Sequence, residues 1–395
     1  MSSKGGNCGG EIMNPRPDKR RDRMARVSSP ALLLILIGLC VLAPAPAAAE
    51  TGPTSEGGWQ TLGLMRVRDM TPFGIARLDM LPAHAVPATP GTLAFEVNVS
   101  YQNTWALSKN VQDYLAARGV ERGKIGAEDV AAILALPGDA YLFDGELGLV
   151  DLTLHYRAYR HLGIYATIPY FIADGGFLDW TIERFHDKVG FENAGREFVP
   201  RNRFIAVANL ERTTIVIGGA PKNEFGDPVF GLRYSLKQFP RRYNVVLEAA
   251  AKLVLFNNSS RLVSTGLDDF GLQLTLQRFF SRNALYLSVA EVYFQSPDPG
   301  LSNDVWIPTV VGGWETRITK HTNLIMQGYV SKSVVQETRL DELSAVKIQA
   351  TLGLQRLYRG NVVRFGITEN IAHFNNTPDI GFNLSAARIV FGSPR

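Results

Sequence analysis

Histidine is the side chain best suited to acid–base chemistry near neutral pH. The chain has six, which are His84, His155, His161, His186, His321 and His373. A hydrolase places such a histidine beside a nucleophilic serine and an acid or amide group. No short motif joins any of these histidines to a serine, so we predict no catalytic residues from local sequence.

Metal and cofactor sites are not predicted either. No cluster of His, Asp and Glu residues has the spacing of metal ligands. No glycine-rich loop leads from a strand into a helix, as phosphate-binding loops do. Both cysteines, Cys8 and Cys40, lie within residues 1–49, so removal of that segment would leave no thiolate ligand. We therefore predict neither a metal nor a cofactor.

Residues 174–196 contain the densest group of candidate binding residues. Asp179 is predicted to cap a helix that runs to about Val189, with Ile182 and Phe185 on its apolar face. Two interpretations stay open. In the first, the helix packs across the mouth of the β-barrel predicted below and its polar residues only complete hydrogen bonds. In the second, those residues face a ligand at the entrance. The candidate ligand-facing residues are Asp174, Asp179, Glu183 and His186.

Charged residues also recur at every second position of several segments, a spacing that places them on one face of a strand. Such a lining would surround a water-filled path or form a closed, cross-linked polar interior. Because both signs are present, we expect no sharp selectivity for cations or anions. These candidate lining residues are Glu96, Asp151, His155, Arg157, Arg233, Lys237, Glu248, Lys252, Glu315, Arg317, Lys347 and Arg364.

Strict alternation of apolar and polar residues is the main pattern of the chain beyond residue 90. In residues 268–279, Leu272, Leu274 and Leu276 alternate with polar residues. This alternation predicts β-strands with one apolar face. Each run has about ten residues, the length that a tilted strand needs to cross a bilayer.

The connections between these runs alternate between short and long. Five short turns and six long loops separate about twelve strands, with both ends on the short-turn side. We therefore predict a transmembrane antiparallel β-barrel of about 12 strands, with short helices in long extracellular loops. Closure matters because an open sheet edge in lipid would leave backbone groups unpaired. A soluble β-sandwich or propeller is the competing architecture.

The first 49 residues have the order of a secretory signal peptide, with a basic region, an apolar run over 31–43 and small residues before Ala49. We predict cleavage near Ala49, with an uncleaved anchor as the alternative and the translation start open between Met1 and Met24. Residues 50–90 are predicted to lie in the periplasm or to enter the lumen, and residues 91–391 to form the barrel. Beyond residue 49 the basic and acidic residues balance, so the net charge of +4 does not indicate a nucleic-acid partner.

Two motifs resemble a bacterial family known as domain of unknown function 3187. They are DGGFLDWTIERFHDKVGFENAGR at residues 174–196 and FDGE at residues 143–146. The resemblance covers residues 65–391 and implies a membrane β-barrel. It implies no activity.

The favoured function is an outer-membrane channel or passive transporter for small solutes. One alternative is a lipid or lipopolysaccharide hydrolase that uses His186 or His373 at the outer rim, and another is a structural barrel without a pore. The expected partners are outer-membrane lipid, lipopolysaccharide, the barrel assembly machinery and a small solute.

Overall fold

The computed structural model describes residues 61–82, 90–236, 243–296, 303–372 and 379–391. The predicted signal peptide and cleavage site, together with His84, Lys237 and His373, lie outside these ranges. Within them the chain is mainly β-strand, with a few short helices.

Twelve strands form a closed antiparallel ring, which confirms the predicted transmembrane barrel. The ring closes where the first strand pairs with the last, from Leu93 opposite Phe391 to Asn103 opposite Ile380. In ring order the strands are β1 (Leu93–Leu107), β2 (Ala140–Arg157), β3 (Leu162–Asp174), β7 (Val229–Ser235), β8 (Tyr243–Lys252), β9 (Asp269–Phe279), β10 (Asn283–Phe294), β11 (Val305–Arg317), β12 (Thr322–Ser331), β13 (Lys347–Tyr358), β14 (Asn361–Ala372) and β15 (Ile380–Phe391).

Side chains alternate between the two faces of the barrel wall. On β9, Leu272, Leu274 and Leu276 are exposed on the outer surface, whereas Gln273 and Thr275 are buried inside. The outer surface is therefore apolar and the inner surface polar, the arrangement of a barrel in a lipid bilayer. Aromatic residues beside the short turns, such as Tyr156 and Tyr243, are expected to form a belt at the membrane interface, but Phe279 does not belong to it. Phe279 is buried inside because it continues the inward positions of β9.

The long-loop end of the wall rises beyond the ring and carries most of the helices. β2 has 18 residues, and its first five pair with an added strand, β4 (Ile205–Leu210), which forms a hairpin with β5 (Thr213–Ile217). The added elements are α1 (Lys109–Ala117), α2 (Ala127–Leu134), α3 (Asp179–Val189), a 3-10 helix (Arg196–Phe198), β4 (Ile205–Leu210), β5 (Thr213–Ile217), β6 (Glu224–Phe225) and α4 (Asp341–Ser344). No helix in the described ranges is long and apolar enough to cross a membrane.

Helix α3 packs on the outer face of the wall and does not cross the barrel mouth. Because Asn98 on β1 points into the lumen, where it bonds the carbonyl of Arg66, the odd-numbered Tyr101 and Asn103 point outward. Asn103 bonds Asp179 at 3.1 Å, and the ring of Tyr101 stacks on Phe177 at 5.6 Å. The start of α3 is thus attached to the outside of β1.

The predicted helix cap at Asp179 is corrected. Leu178 is the capping position, and Asp179 is the first helical residue. Glu146 Oε1 accepts the N–H groups of Phe177 at 2.9 Å and Leu178 at 2.6 Å, so a distant carboxylate binds the chain entering the helix. Of the predicted apolar face only Ile182 is buried, and Phe185 is exposed.

An apolar cluster covers the inner side of the long-loop end. Tyr141 and Phe143 of β2 point inward and pack with Leu262 and with Val334 and Val335 from two other long loops. These contacts bring the loops together over the lumen. The mouth of the barrel is therefore narrowed by its own loops.

Candidate functional site: a lumen filled by the N-terminal segment

The lumen contains residues 61–82, which we call the plug, and nearly all of its residues are buried. The plug begins near the short-turn end, where Leu62 packs with Val362 and Ala387. It reaches the long-loop end, where Lys347 Nζ bonds Asp69 Oδ2 at 2.6 Å. The chain then turns and descends on the other side of the lumen.

Side chains of the wall bind the backbone of the ascending arm, because that arm is paired with no strand. Glu315 accepts the N–H of Leu62 at 2.8 Å and that of Gly63 at 3.2 Å. Gln327 bonds both the N–H of Met65 at 2.8 Å and its carbonyl at 3.1 Å. Buried peptide groups need such partners, and here the wall provides them.

Charge complementarity fixes the orientation of the ascending arm. Arg66 lies 3.9 Å from Glu96 on β1, and Arg68 lies 3.6 Å from Asp151 on β2. Arg68 Nη2 also donates to the carbonyl of Arg77 at 2.9 Å and so joins the two arms. One acidic residue on each of two adjacent strands, β1 and β2, therefore faces an arginine of the plug.

The turn of the plug is held by a second charged cluster. Arg77 lies 3.6 Å from Asp69 and 3.5 Å from Asp79, and it donates to the hydroxyl of Tyr329 at 2.6 Å. On the descending arm, Asp269 accepts the N–H of Leu78 at 2.8 Å. Ion pairs therefore hold the turn together internally, and hydrogen bonds attach it to the wall.

Inward-facing glycines accommodate the apolar side chains of the plug. A Cβ atom built on Gly313 would lie 2.4 Å from Leu64 Cδ2. On paired Gly353 and Gly366 it would lie 2.3 Å and 2.6 Å from Met65 Sδ. Any larger residue at these positions would collide with the plug.

The candidate lining residues point mostly into the lumen. His155 Nε2 contacts Glu96 at 3.0 Å, and Arg233 Nε bonds Glu248 at 2.6 Å. Arg157 and Arg317 are half-buried near the short turns, and Lys237 lies outside the described residues. Those that contact the plug directly are Glu96, Asp151, Lys252, Glu315, Lys347 and Arg364.

The four candidate ligand-facing residues lie on or beside α3, outside the lumen. Asp179 is buried and accepts a hydrogen bond from Arg196 at 3.1 Å. Glu183 is buried and bonds Arg122 at 2.6 Å. Asp174 accepts the N–H of Gly176 at 2.7 Å, and the half-buried His186 packs beside Phe185 and Phe191. These contacts complete hydrogen bonds, and a ligand role for the four remains a prediction.

An exposed apolar surface surrounds these residues. Trp180, Phe185 and Phe191 are 54%, 56% and 62% exposed, and Phe177 beside them is 63% exposed. They continue the outer, apolar surface of the barrel toward the long-loop end.

The residues of the plug were missed as functional residues in the sequence. Arg66, Arg68 and Arg77 stand with Asp69 and Asp79 among apolar neighbours, in a stretch without the alternation of a strand. That density of charge was the available signal, because a buried segment without a sheet partner needs charged side chains to bind the wall. Among the described residues no group of three or more His, Cys, Asp or Glu side chains could hold a metal.

The fold and its lumen define a transmembrane β-barrel that is closed by its own N-terminal segment. The chain belongs to the family described as Protein of unknown function (DUF3187), whose model matches residues 124–388. No curated protein matches the sequence.

Several solved barrels are similar in shape. The COG4313 outer membrane channel from Pseudomonas putida F1 has 9% identity and a TM-score of 0.47, covering 77% of this chain and 97% of that one. The P. putida toluene transporter TodX has 10% identity and a TM-score of 0.38, covering 77% and 92%. The NanC porin has 7% identity and a TM-score of 0.38, covering 76% and 100%. Similarity at this level concerns the barrel shape alone.

Proposed function

We propose that this protein is an outer-membrane channel for small solutes whose closed state is the plugged conformation. The observation that carries the proposal is the way the plug is held. Wall side chains such as Glu315 and Gln327 bind its backbone, and no described residue of the plug is in the β-ladder. The same polar side chains can bind water or a polar solute when the plug moves. A barrel of this size is wider than an eight-stranded barrel, whose interior side chains nearly fill it.

The energetics favour the closed state. Leu64, Met65, Met70, Ile75 and Leu78 are almost fully buried. Burial of each such side chain contributes about 1.5–3 kcal/mol, whereas each net hydrogen bond contributes roughly 1 kcal/mol. Apolar and polar contacts together therefore hold the plug in the lumen, and the open state is a minor population.

Single-channel recording in a planar bilayer tests the proposal. The chain from Glu50 onward is compared with the same chain lacking residues 61–82. We expect brief, rare openings from the first and sustained stepwise conductance from the second. Retention of the folded band in unheated gel samples shows that both proteins are folded. Silence of a folded, plug-free barrel would contradict the channel.

A structural barrel without a pore is the second candidate, because the described lumen is filled. It predicts that the parent chain stays silent in the same recording, even when the plug-free barrel conducts. Among the described residues no contact favours the rim hydrolase: the ring of His186 packs beside the rings of Phe185 and Phe191, and His373 lies outside the described ranges.

The location is proposed from the fold and the N-terminal sequence together. Antiparallel barrels with an even strand number and an apolar outer band are typical of the outer membrane. Export would remove residues 1–49, and insertion would use the barrel assembly machinery. N-terminal sequencing of protein from outer-membrane fractions checks the cleavage near Ala49. A mature chain that still begins at Met1 or Met24 would contradict it.

Lipopolysaccharide is the proposed lipid partner of the α3 surface. Trp180 and Phe185 are exposed beside Arg184, whose guanidinium lies 5.0 Å from the Trp180 ring. Aromatic and basic side chains together suit the boundary between acyl chains and anionic headgroups.

A further inference from the structure

A separate cavity of about 470 Å³ lies at the long-loop end of the barrel. Residues from four long loops line it, together with Pro72 and Phe73 from the turn of the plug. Small-molecule sites in proteins have volumes of about 300–1,000 Å³ and are lined mainly by apolar residues with a few polar groups. The volume of this cavity lies within that range.

The walls of the cavity are mainly apolar, although two threonines and three serines also line it. Ile215 and Ile217 of β5 contribute one side, and Phe294, Val334 and Val335 contribute another. On β5 the intervening Val216 is 50% exposed and does not line the cavity. Val216 therefore faces away from the cavity between two residues that face it, and Thr214 at the start of the strand also lines the cavity.

The charged residues that line the cavity are all basic. Lys222 and Arg261 are exposed there, and no acidic residue stands among the described lining. Glu224 accepts hydrogen bonds from Ser259 but does not itself line the cavity. An apolar interior with two cations at its edge suits a ligand that has an apolar body and one negative charge.

The plug forms part of the same cavity. Phe73 is only partly buried, and its ring centroid lies 6.3 Å from that of Tyr141 in the apolar cluster. An occupant would therefore contact the turn of the plug directly. Differential contact with one state of the plug is what a ligand needs in order to shift a closed–open equilibrium.

We propose that this cavity binds apolar small molecules that carry one anionic group, such as aromatic carboxylates. The occupant packs between the β5 hairpin and Phe73, with its anion beside Lys222 and Arg261. This inference rests on the proposed channel function and names the class of solute that the channel admits.

Binding of 1-naphthoate, measured by titration calorimetry, tests the inference without any need for conductance. The mature barrel is placed in phosphatidylcholine nanodiscs, and empty nanodiscs are the blank. We expect saturable binding at one site. 1-Naphthalenemethanol, which has the same rings without the charge, should bind about tenfold more weakly, because it offers no anion to Lys222 and Arg261.

Two matched pairs of variants locate the site. Ile215→Trp should fill the cavity and weaken naphthoate binding at least about tenfold, whereas Val216→Trp on the opposite face should leave it unchanged. The double variant Lys222→Gln and Arg261→Gln should remove the preference for naphthoate over the alcohol. Arg212→Gln, which alters a basic residue outside the lining, should keep that preference.

Three outcomes would overturn the inference. They are no heat beyond that of empty nanodiscs, equal binding to Ile215→Trp and the parent, and equal affinity for the acid and the alcohol. None of them would change the conductance of the plug-free barrel. The proposed binding site can therefore be rejected while the proposed channel stands, and the reverse also holds. The folded gel band confirms that each variant is intact.

Discussion

At the scale of single residues, the fit between plug and wall depends on inward-facing glycines, because they have no side chain. Inward-facing Gly313 leaves room for Leu64, and Gly353 with Gly366 leaves room for Met65. The neighbouring Gly312 faces outward and has no atom within 4 Å of a built Cβ. Of these two adjacent glycines on β11, Gly313 therefore lies against the plug and Gly312 does not.

This difference gives a matched prediction. Gly313→Leu should displace Leu64 and raise the open fraction in single-channel recordings. Gly312→Leu should behave like the parent, because an added apolar side chain there meets lipid. Equal closure of both variants would show that the plug does not close the path.

Buried charge makes a second prediction at this scale. Lys347 is 3% exposed and pairs with Asp69 and Thr71, so its loss leaves Asp69 with Arg77 as its remaining cationic partner. Removing one member of a buried pair costs roughly 3–5 kcal/mol. Lys347→Met should therefore raise the open fraction.

The double variant Lys347→Met and Asp69→Asn serves as the control. It removes the carboxylate that has lost one of its two cationic partners, so it should close more fully than Lys347→Met alone. Additive opening in the double variant would mean that the two residues act on the plug independently.

At the scale of elements, the long loops are tied together by Asp139, between α2 and β2. It accepts hydrogen bonds from Thr338 Oγ1 at 2.6 Å and from the N–H groups of Arg339 and Glu211 at 3.0 Å each. Burial raises the pKa of Asp139, but these hydrogen bonds outweigh it and hold the pKa below its usual value. Three connections thus meet at one ionised carboxylate.

The loop contact should consequently depend on pH. A lowered folded-state pKa stabilises the contact above the ordinary aspartate pKa of about 3.9 and loses that contribution as pH falls through the folded value. Pulsed hydrogen exchange should show residues 338–340 well protected at neutral pH and less protected below about pH 4.

Asp139→Asn should show weak protection of residues 338–340 at both pH values. Asp113→Asn, which breaks only an exposed pair with Lys109, should match the parent. Protection that is the same at both pH values in the parent would contradict the role of Asp139.

At the scale of the whole molecule, the ring of twelve strands is complete without the plug. Every barrel strand has two neighbours in the ring, and the plug contributes none of that pairing. If the plug were removed, the charged side chains of the wall that contact it would be hydrated by water in the lumen instead of remaining buried.

A chain without residues 61–82 should accordingly still refold as a barrel, although with a lower unfolding temperature. Gel mobility with and without heating, and circular dichroism during a temperature ramp, measure both properties. Failure to refold would show that the plug is part of the folding core and not a removable closure.

The sequence determined the parts of the protein that depend on local pattern. Alternation with a period of two identified the strands, their apolar outer faces and the even count that closes the ring. Helix α3 ends at Val189 as predicted, because Gly190 adopts the left-handed conformation that terminates helices. These features depend on neighbouring residues, and neighbouring residues are visible in a sequence.

Only the tertiary structure decided what fills the barrel and which surface α3 covers. The alternation that points Glu96 inward does not reveal that Arg66, thirty residues earlier in the chain, lies opposite it. The sequence left residues 50–90 open between the periplasm and the lumen, and it did not indicate that Gly313 adjoins Leu64. Those contacts join segments far apart in the chain. They exist only because closure of the ring brings all twelve inner faces around one short, unpaired segment.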